Sequence, residues 1–318
     1  MINVTDIAYG RLSAPDLDLM EAFLIDFGMV RAERTRTALF MRGTDPEHHL
    51  HVTELGDPGF IGIAFHAASE EDLHTLAEAE GATPVEDLDE PGGGKRVRLT
   101  DPDGRQVEVI WGQEMLEPLP VRDVVINTGK ERLNRAGDLQ RIPSRPAHVK
   151  RSAHAVVTTA QVKASNDWYQ AHLGLKTTDE IWMETEDNIF AVFNHIDAPA
   201  GSYVDHHVFL NVQAEKAQFN HLSFEVADFD DVQIGHYYLK EKGRYKHAWG
   251  IGRHTLGSQI FDYWRDPWGR IHEHWTDSDM VNNDHPAGFH APEEGLANQW
   301  GPEFPMEFLD DPEKHAIA

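Results

Sequence analysis

Phe219-Asn-His-Leu-Ser-Phe224 repeats the pattern of an earlier stretch, Phe60-Ile-Gly-Ile-Ala-Phe65. Both alternate apolar side chains as half-buried strands do, and each is followed by an acidic segment typical of a helix start. Each then reaches the pattern D-P-x-G-R-x-x-E, at 101–108 and 266–273. The same order of features about 160 residues apart indicates an internal duplication.

A second, weaker repeat precedes each of these stretches. Residues 16–28 and 162–174 both have the pattern of a helix that runs into a glycine, and each follows a short strand, near Ile7 and near Ala155. The chain therefore contains four copies of one unit, in which a strand and a helix are followed by several strands. This arrangement predicts an α+β fold of four βαβββ modules in two domains.

The composition changes along the chain predict the domain boundaries. We expect an N-terminal domain of two modules at 1–112, a linker at 113–148 that could hold one short helix, and a C-terminal catalytic domain at 149–276. The tail at 277–318 is rich in Pro, Asp, Glu and Gly, but it keeps four large aromatic residues, Phe289, Trp300, Phe304 and Phe308. A disordered tail would carry fewer aromatic side chains, so this one is predicted to pack on the catalytic domain and cover part of its active-site mouth.

The charge balance excludes several classes of partner. Among 318 residues, 28 are Lys or Arg and 54 are Asp or Glu, which gives a formal charge of −26. Nucleic acid and anionic membranes both need a basic face, so neither is an expected partner. The chain has no cysteine, which excludes disulfides, thiolate catalysis and cysteine-based metal sites. Without a signal peptide or a spanning segment in the pattern, a cytoplasmic protein is expected.

The two halves differ at the positions where strand residues could carry chemistry. Gly62 occupies in the N-terminal half the position that His221 occupies in the C-terminal half. The position that corresponds to His154 falls at Ala8 or Tyr9. Where two copies share a fold but only one carries side chains that can bind a metal or transfer protons, that copy is the one expected to be functional. The C-terminal half is therefore the expected site of catalysis.

A glutamate is present in both halves, as Glu108 and Glu273. Only the C-terminal half thus combines two histidines and a carboxylate at equivalent module positions, His154, His221 and Glu273. Two imidazoles and one carboxylate can bind one face of an octahedral ion and leave three positions open, as in the facial triad of non-haem Fe(II) enzymes. Glu108, which lacks the histidines, is predicted to be a relic that binds no metal.

His272 and His274 flank Glu273 but cannot join it in one site. Side chains alternate between the two faces of a strand, so these histidines point away from the Glu273 carboxylate. We predict that they face solvent.

Five stretches of the C-terminal half resemble the type I extradiol ring-cleavage dioxygenases of the vicinal oxygen chelate superfamily. They are Ser152-Ala-His-Ala-Val156, Asp205-His-His-Val208, Asn220-His-Leu-Ser-Phe-Glu-Val226, Gly252-Arg-His-Thr255 and Phe261-Asp-Tyr-Trp-Arg-Asp-Pro-Trp-Gly-Arg-Ile-His-Glu273. The resemblance extends over nearly the whole chain, because that family also has a metal-free N-terminal half of two modules.

The resemblance implies an enzyme that opens a catechol-type or trihydroxylated aromatic ring beside its two hydroxyls and inserts both atoms of O2. It implies Fe(II) as the cofactor, with His154, His221 and Glu273 as its ligands. It further implies His207 as an acid–base residue, and His254 and Tyr263 as hydrogen-bonding partners. His206 and His207 are adjacent, so only one can face the site, and the resemblance favours His207. Relatives are often homo-oligomers, and the same is expected here.

Two alternatives remain at the level of sequence, because one fold can host several functions. The first is another metal-dependent enzyme of the same superfamily, a glyoxalase-like isomerase or lyase. Such enzymes commonly use a second carboxylate or a glutamine, and zinc or nickel in place of iron. The second is a non-enzymatic protein that binds an aromatic ligand, which would need no set of three ligands.

Overall fold

The computed structural model describes residues 1–123 and 125–318, and it contains the four predicted modules. The first two modules consist of β1 (Val4–Ala14), α1 (Leu17–Phe27), β2 (Val30–Arg34), β3 (Ala38–Arg42), β4 (His51–Leu55), β5 (Gly59–Ala67), α2 (Glu70–Leu76), β6 (Glu86–Asp87), β7 (Lys95–Thr100) and β8 (Gln106–Trp111). The second two consist of β9 (Val149–Thr159), α3 (Val162–Leu173), β10 (Lys176–Met183), β11 (Thr185–His195), β12 (Val204–Asp205), β13 (Phe209–Gln213), β14 (Gln218–Val226), α4 (Phe229–Lys242), β15 (Lys246–His254), β16 (Ile260–Arg265) and β17 (Ile271–Thr276).

The tail adds further elements to these modules. They are β18 (Met280–Val281), β19 (Gly288–His290), α5 (Pro292–Gly295), β20 (Asn298–Trp300) and two 3-10 helices, Met306–Leu309 and Pro312–His315. Strand β18 pairs with β12, β19 pairs with β10, and β20 pairs with β15, so the tail extends the C-terminal sheet at both edges.

Each half has one large sheet, and the modules of the two large sheets share the same topology. The N-terminal sheet has the order β2-β3-β4-β1-β5-β8-β7-β6, and the C-terminal sheet has the order β19-β10-β11-β13-β9-β14-β17-β16-β15-β20. In both sheets the two modules join through their first strands, which run antiparallel, and each module closes by a parallel pairing of its first and last strands. The α+β fold predicted from the repeat is confirmed.

Helices α1 and α3 begin and end where the sequence indicated. The Asp16 carboxylate accepts hydrogen bonds from the backbone N–H groups of Asp18 and Leu19, at 2.9 and 3.0 Å, and so caps the N-terminus of α1. Gly28 ends the helix in the left-handed region, with φ of 118°, which a residue without a Cβ adopts readily. Gly174 ends α3 in the same way, with φ of 72°.

His272 and His274 are fully buried, so the prediction that they face solvent is wrong. They point away from Glu273, but the N-terminal half covers that face of the sheet. His274 Nε2 lies 2.6 Å from the Phe27 carbonyl oxygen, and its ring stacks on the Phe27 ring with centroids 3.8 Å apart. His272 Nε2 lies 3.1 Å from His51 Nε2. Strand alternation gave the direction of the side chains, whereas their burial depends on the packing of the two halves.

The linker attaches to the start of α4. Among its described residues, 113–123 and 125–148, there is no helix, and residues 132–137 form turns, so the predicted short helix is not formed. Arg145 pairs with Asp231 at 2.6 Å, and Arg122 pairs with Asp228, the N-cap of α4. The linker arginines therefore form ion pairs with the acidic start of that helix. Within the described part of the chain, no helix combines the length and the apolar character needed to cross a membrane.

Candidate metal centre

Three adjacent strands bring His154, His221 and Glu273 together. Ser223 in the central strand β14 pairs with His154 of β9 on one side and with Glu273 of β17 on the other. His221 lies two residues before Ser223 and therefore on the same face of the sheet. His154 Nε2 lies 2.9 Å from Glu273 Oε2, and His221 Nε2 lies 3.4 Å from it. The two Nε2 atoms are 3.3 Å apart.

These separations suit the ligands of one cation. Ligands with metal bonds of about 2.1 Å at right angles lie about 3.0 Å from each other. Neither Glu273 carboxylate oxygen makes a hydrogen bond of ordinary geometry, although the side chain is fully buried. A buried carboxylate without well-formed hydrogen bonds is costly, and a cation at the point where the three side chains converge would satisfy it.

The protonation states at this point also suit a cation. Burial raises the pKa of the Glu273 carboxyl, but the contacts with His154 and His221 lower it by more than burial raises it. The pKa therefore lies well below its ordinary value. Burial lowers the pKa of His221, which favours the neutral imidazole that a metal needs. His221 Nδ1 lies 2.6 Å from Asn220 Oδ1, which can accept its N–H and leave the Nε2 lone pair free to bind.

The N-terminal half carries the matching position without the matching chemistry. Tyr9 pairs with Ala64 as His154 pairs with Ser223, so Tyr9, and not Ala8, corresponds to His154. A side chain at Gly62 would clash with the backbone carbonyl of the neighbouring strand at Gln106, which leaves no room for a histidine.

A guanidinium satisfies the glutamate of this half. Arg11 Nε donates to Glu108 Oε1 at 2.7 Å, and the Tyr9 hydroxyl donates to Glu108 Oε2 at 2.8 Å. The Glu108 carboxylate is thus fully partnered, in contrast to that of Glu273.

We predict that Glu108→Gln keeps the catalytic rate but destabilises the fold. The change leaves the buried Arg11 guanidinium without its closest anion, which typically costs about 3 kcal/mol of unfolding free energy. Urea unfolding and turnover of the same preparation would measure both quantities. Glu54→Gln is the matched control, because Glu54 also pairs with Arg11 but is 44% exposed, and its loss should cost less than about 1 kcal/mol. A large loss of activity in Glu108→Gln would contradict the relic assignment.

A chain of hydrogen-bonding groups holds His207 beside the three converging side chains. The His207 ring centroid lies 4.3 Å from that of His154, and both His206 and His207 are buried. Asp179 Oδ2 accepts from His206 Nε2 at 2.7 Å, which leaves the His206 Nδ1 lone pair to accept the N–H of His207 Nδ1 at 3.0 Å. His207 then keeps an unprotonated Nε2 on the side of its ring away from His206.

Two residues of this hydrogen-bonded series, Asp179 and His290, were not predicted from the sequence. Asp179 lies in β10, far from the ligand strands in sequence, and its other oxygen contacts the tail residue His290 at 2.9 Å. The adjacency of His206 and His207 was the only sequence signal for this chain. Burial and the neighbouring histidines lower the pKa of His207 well below its ordinary value, so the ring is neutral near pH 7.

Aromatic side chains form one wall of the site. The Tyr263 ring lies 5.2 Å from the His221 ring, and the Tyr263 hydroxyl lies 3.0 Å from His254 Nε2. Phe308 from the tail packs on Tyr263 with centroids 5.0 Å apart and is buried. Burial lowers the pKa of His254 to about 4, so this imidazole is neutral near pH 7. The other three tail aromatics are more than a third exposed.

The chain is similar to several known proteins. Residues 151–272 match the Glyoxalase/Bleomycin resistance protein/Dioxygenase superfamily. Metapyrocatechase 2 from Cupriavidus necator is 32% identical over 98% of this chain and 93% of that protein.

Two solved structures share the fold. A Mn(II)-bound glyoxalase from Novosphingobium aromaticivorans is 25% identical with a TM-score of 0.79, and the alignment covers 99% of this chain and 96% of that one. An extradiol ring-cleaving dioxygenase from B. fuscum is 20% identical with a TM-score of 0.77, over 98% of this chain and 82% of that one. The motifs, the duplicated fold and the full-length similarity to metapyrocatechase agree, and the chain belongs to the type I extradiol dioxygenases of the vicinal oxygen chelate superfamily.

Proposed function

We propose that this protein cleaves a catechol-type or trihydroxylated aromatic ring beside its two hydroxyl groups, with Fe(II) held by His154, His221 and Glu273. The observation that carries this proposal is the buried Glu273 carboxylate, which makes no hydrogen bond of ordinary geometry and contacts two imidazole nitrogens. An ion held by two imidazoles and one carboxylate would keep open positions for the two catechol oxygens and for O2.

Bound Fe(II) supplies Lewis acidity towards the catechol oxygens and the one-electron chemistry that allows O2 to react with the ring. One molecule of O2 is consumed per ring, one carbon–carbon bond beside the hydroxyl-bearing carbons breaks, and both oxygen atoms remain in the product. For catechol itself this product is a hydroxymuconic semialdehyde.

His207 moves protons in this reaction. Its Nδ1–H is directed to His206, and its Nε2 lone pair can accept a proton from a substrate hydroxyl and return it later. Asp179 accepts a hydrogen bond from His206, which in turn contacts His207. Its negative charge stabilises the pair of histidines when His207 becomes positive. The base is therefore neutral before substrate binds and is fixed in one tautomer.

Tyr263 and His254 orient an oxygen of the substrate. The Tyr263 hydroxyl and His254 Nε2 are hydrogen-bonded to each other, and burial and the Glu273 charge raise the pKa of Tyr263 well above its ordinary value. The tyrosine is therefore a neutral donor. Phe308 packs behind it and keeps water from that wall, which protects reactive species from side reactions.

Oxygen uptake by the Fe(II)-loaded protein with a panel of catechols tests the proposed function. We expect one O2 per substrate, incorporation of both atoms from ¹⁸O₂, and a yellow product. The hemithioacetal of methylglyoxal and glutathione provides the glyoxalase arm of the test. A colourless muconic diacid, or isomerisation of the hemithioacetal without O2 uptake, would overturn the proposal.

We predict that Asp179→Asn lowers kcat by about 10-fold while the protein keeps its iron, because groups that orient a functional histidine typically contribute 10–100-fold. The amide cannot stabilise a positive His206–His207 pair as the carboxylate does. The measurement is the pH profile of kcat, whose acid limb should shift, together with the iron content. Glu180→Gln is the control, because residue 180 points to the opposite face of β10. An unchanged profile in Asp179→Asn would remove the carboxylate from the mechanism.

A further inference from the structure

A second group of two histidines and one carboxylate lies outside the catalytic face. His236 is in α4, His247 is in β15 and Asp262 is in β16, and one potential ligand atom of each lies within 4.8 Å of the others. Asp262 immediately precedes Tyr263, so strand alternation directs it to the face opposite the catalytic one. The proposed mechanism uses none of these three side chains.

The contacts centre on one carboxylate oxygen. Asp262 Oδ1 lies 2.7 Å from His247 Nε2 and 3.1 Å from His236 Nδ1, and the two imidazole planes are perpendicular with centroids 4.9 Å apart. Ligands that share an ion with bonds of about 2.0–2.1 Å lie roughly 2.9–3.3 Å from each other. The two histidine-to-carboxylate distances are close to this range, and the two imidazole nitrogens lie within 4.8 Å of each other, so an ion that drew the imidazoles together could bind all three side chains.

The surroundings hold the carboxylate and admit an ion. Trp264 Nε1 donates to Asp262 Oδ2 at 2.6 Å and fixes the carboxylate, as groups around metal ligands commonly do. Asp262 is fully buried, whereas the side chains of His236 and His247 are 14% and 32% exposed. Each ring has a second nitrogen that can carry its proton, so both histidines can offer a lone pair without a change of charge.

We propose that His236, His247 and Asp262 form a second metal site, for a divalent ion of the zinc class, separate from the catalytic centre. Imidazole and carboxylate ligands suit zinc and its neighbours, and three protein ligands with a solvent-facing side leave the fourth position to water. The ion links α4 to β15 and β16, the strands that carry His254 and Tyr263 on their other face. Its main effect is to hold the helix on the sheet and to stabilise the folded chain.

Zinc binding to a full-length, tag-free variant with a disabled catalytic site tests the proposal. In His154→Ala/Glu273→Gln, equilibrium dialysis against micromolar Zn²⁺ should give one ion per chain, and added Zn²⁺ should raise the Tm. Further replacement of His236 and His247 by glutamine should abolish both effects. The catalytic triad is already disabled, so the result does not depend on the proposed reaction.

The chain has 20 histidines, and a surface control is needed for adventitious binding. His74→Gln in α2 is suitable, because its side chain is 59% exposed and lies in the other half of the molecule. When His74→Gln is added to the variant with the disabled catalytic site, the protein should still bind one zinc ion, and added Zn²⁺ should still raise its Tm. If the double glutamine variant fails to fold, loss of the visible Co²⁺ absorption bands in His247→Gln alone supports the site. An unchanged zinc stoichiometry without His236 and His247, or no bound zinc in the first variant, would mean that the three side chains form only a hydrogen-bonded cluster.

Discussion

His221→Ala should release the iron and lower the ring-cleavage rate by at least about 10³-fold, because metal activation supplies several kcal/mol of transition-state stabilisation. The methyl group of alanine cannot reach the point where His154 Nε2 and Glu273 Oε2 converge. Only the His154 imidazole and the buried Glu273 carboxylate would remain to bind the ion. Metal analysis of the purified variant and oxygen uptake with excess Fe(II) measure the two losses.

The fold should survive this change. His221 is buried, with Nδ1 hydrogen-bonded to the neighbouring Asn220 and Nε2 in contact with His154 and Glu273. The loss of these few contacts should cost no more than about 3 kcal/mol of unfolding free energy. His272→Gln is the matched control, since His272 is also buried and lies on the adjacent strand but points to the other face. This control should keep its iron. A full and active iron complement in His221→Ala would refute the ligand set.

His207→Phe should lower kcat by about 10²–10⁴-fold, the usual contribution of a general acid–base group, while the iron content stays unchanged. Phenylalanine fills a similar volume beside Phe193 and His154 but has no nitrogen to accept or donate a proton. Single-turnover kinetics at saturating catechol and O2 would assign the loss to a chemical step.

Metal content separates this role from that of a ligand. His207→Phe should bind one iron per chain as the unmodified protein does, whereas His221→Ala should not. The kcat of Asp179→Asn should lie between those of His207→Phe and the unmodified protein, because Asp179 acts only through His206 and His207. An unchanged rate in His207→Phe would exclude His207 from proton transfer.

The two halves of the duplicated fold partner their equivalent glutamates differently. Arg11 brings a positive charge to Glu108, and this cation partners the carboxylate in the N-terminal half. Burial raises the pKa of Glu108, but the contacts with Arg11 and Tyr9 lower it by more than burial raises it. The pKa is therefore below its ordinary value, and the carboxyl is ionised. The guanidinium occupies the place that a cation would take beside Glu108, which supports the prediction that this glutamate binds no metal.

Much of the fold and of the site could be predicted from the sequence, because these features depend on local patterns. Apolar alternation, a capping aspartate and a glycine after the helix act within a few residues, and the repeat of these signals revealed the modules. The comparison of the halves singled out His154, His221 and Glu273 because equivalent strands place equivalent residues on one face. Strand alternation also separated Glu273 from its two histidine neighbours.

Contacts between distant segments were decided only by the tertiary structure. The register of β1 on β5 identified Tyr9 as the counterpart of His154, and a single-residue shift could not be read from the pattern. The N-terminal half buries His272 and His274, and Asp179 reaches His206 from another strand. Such contacts join side chains that lie tens to hundreds of residues apart. They depend on how separate modules pack against each other, and no local periodicity of the sequence records that packing.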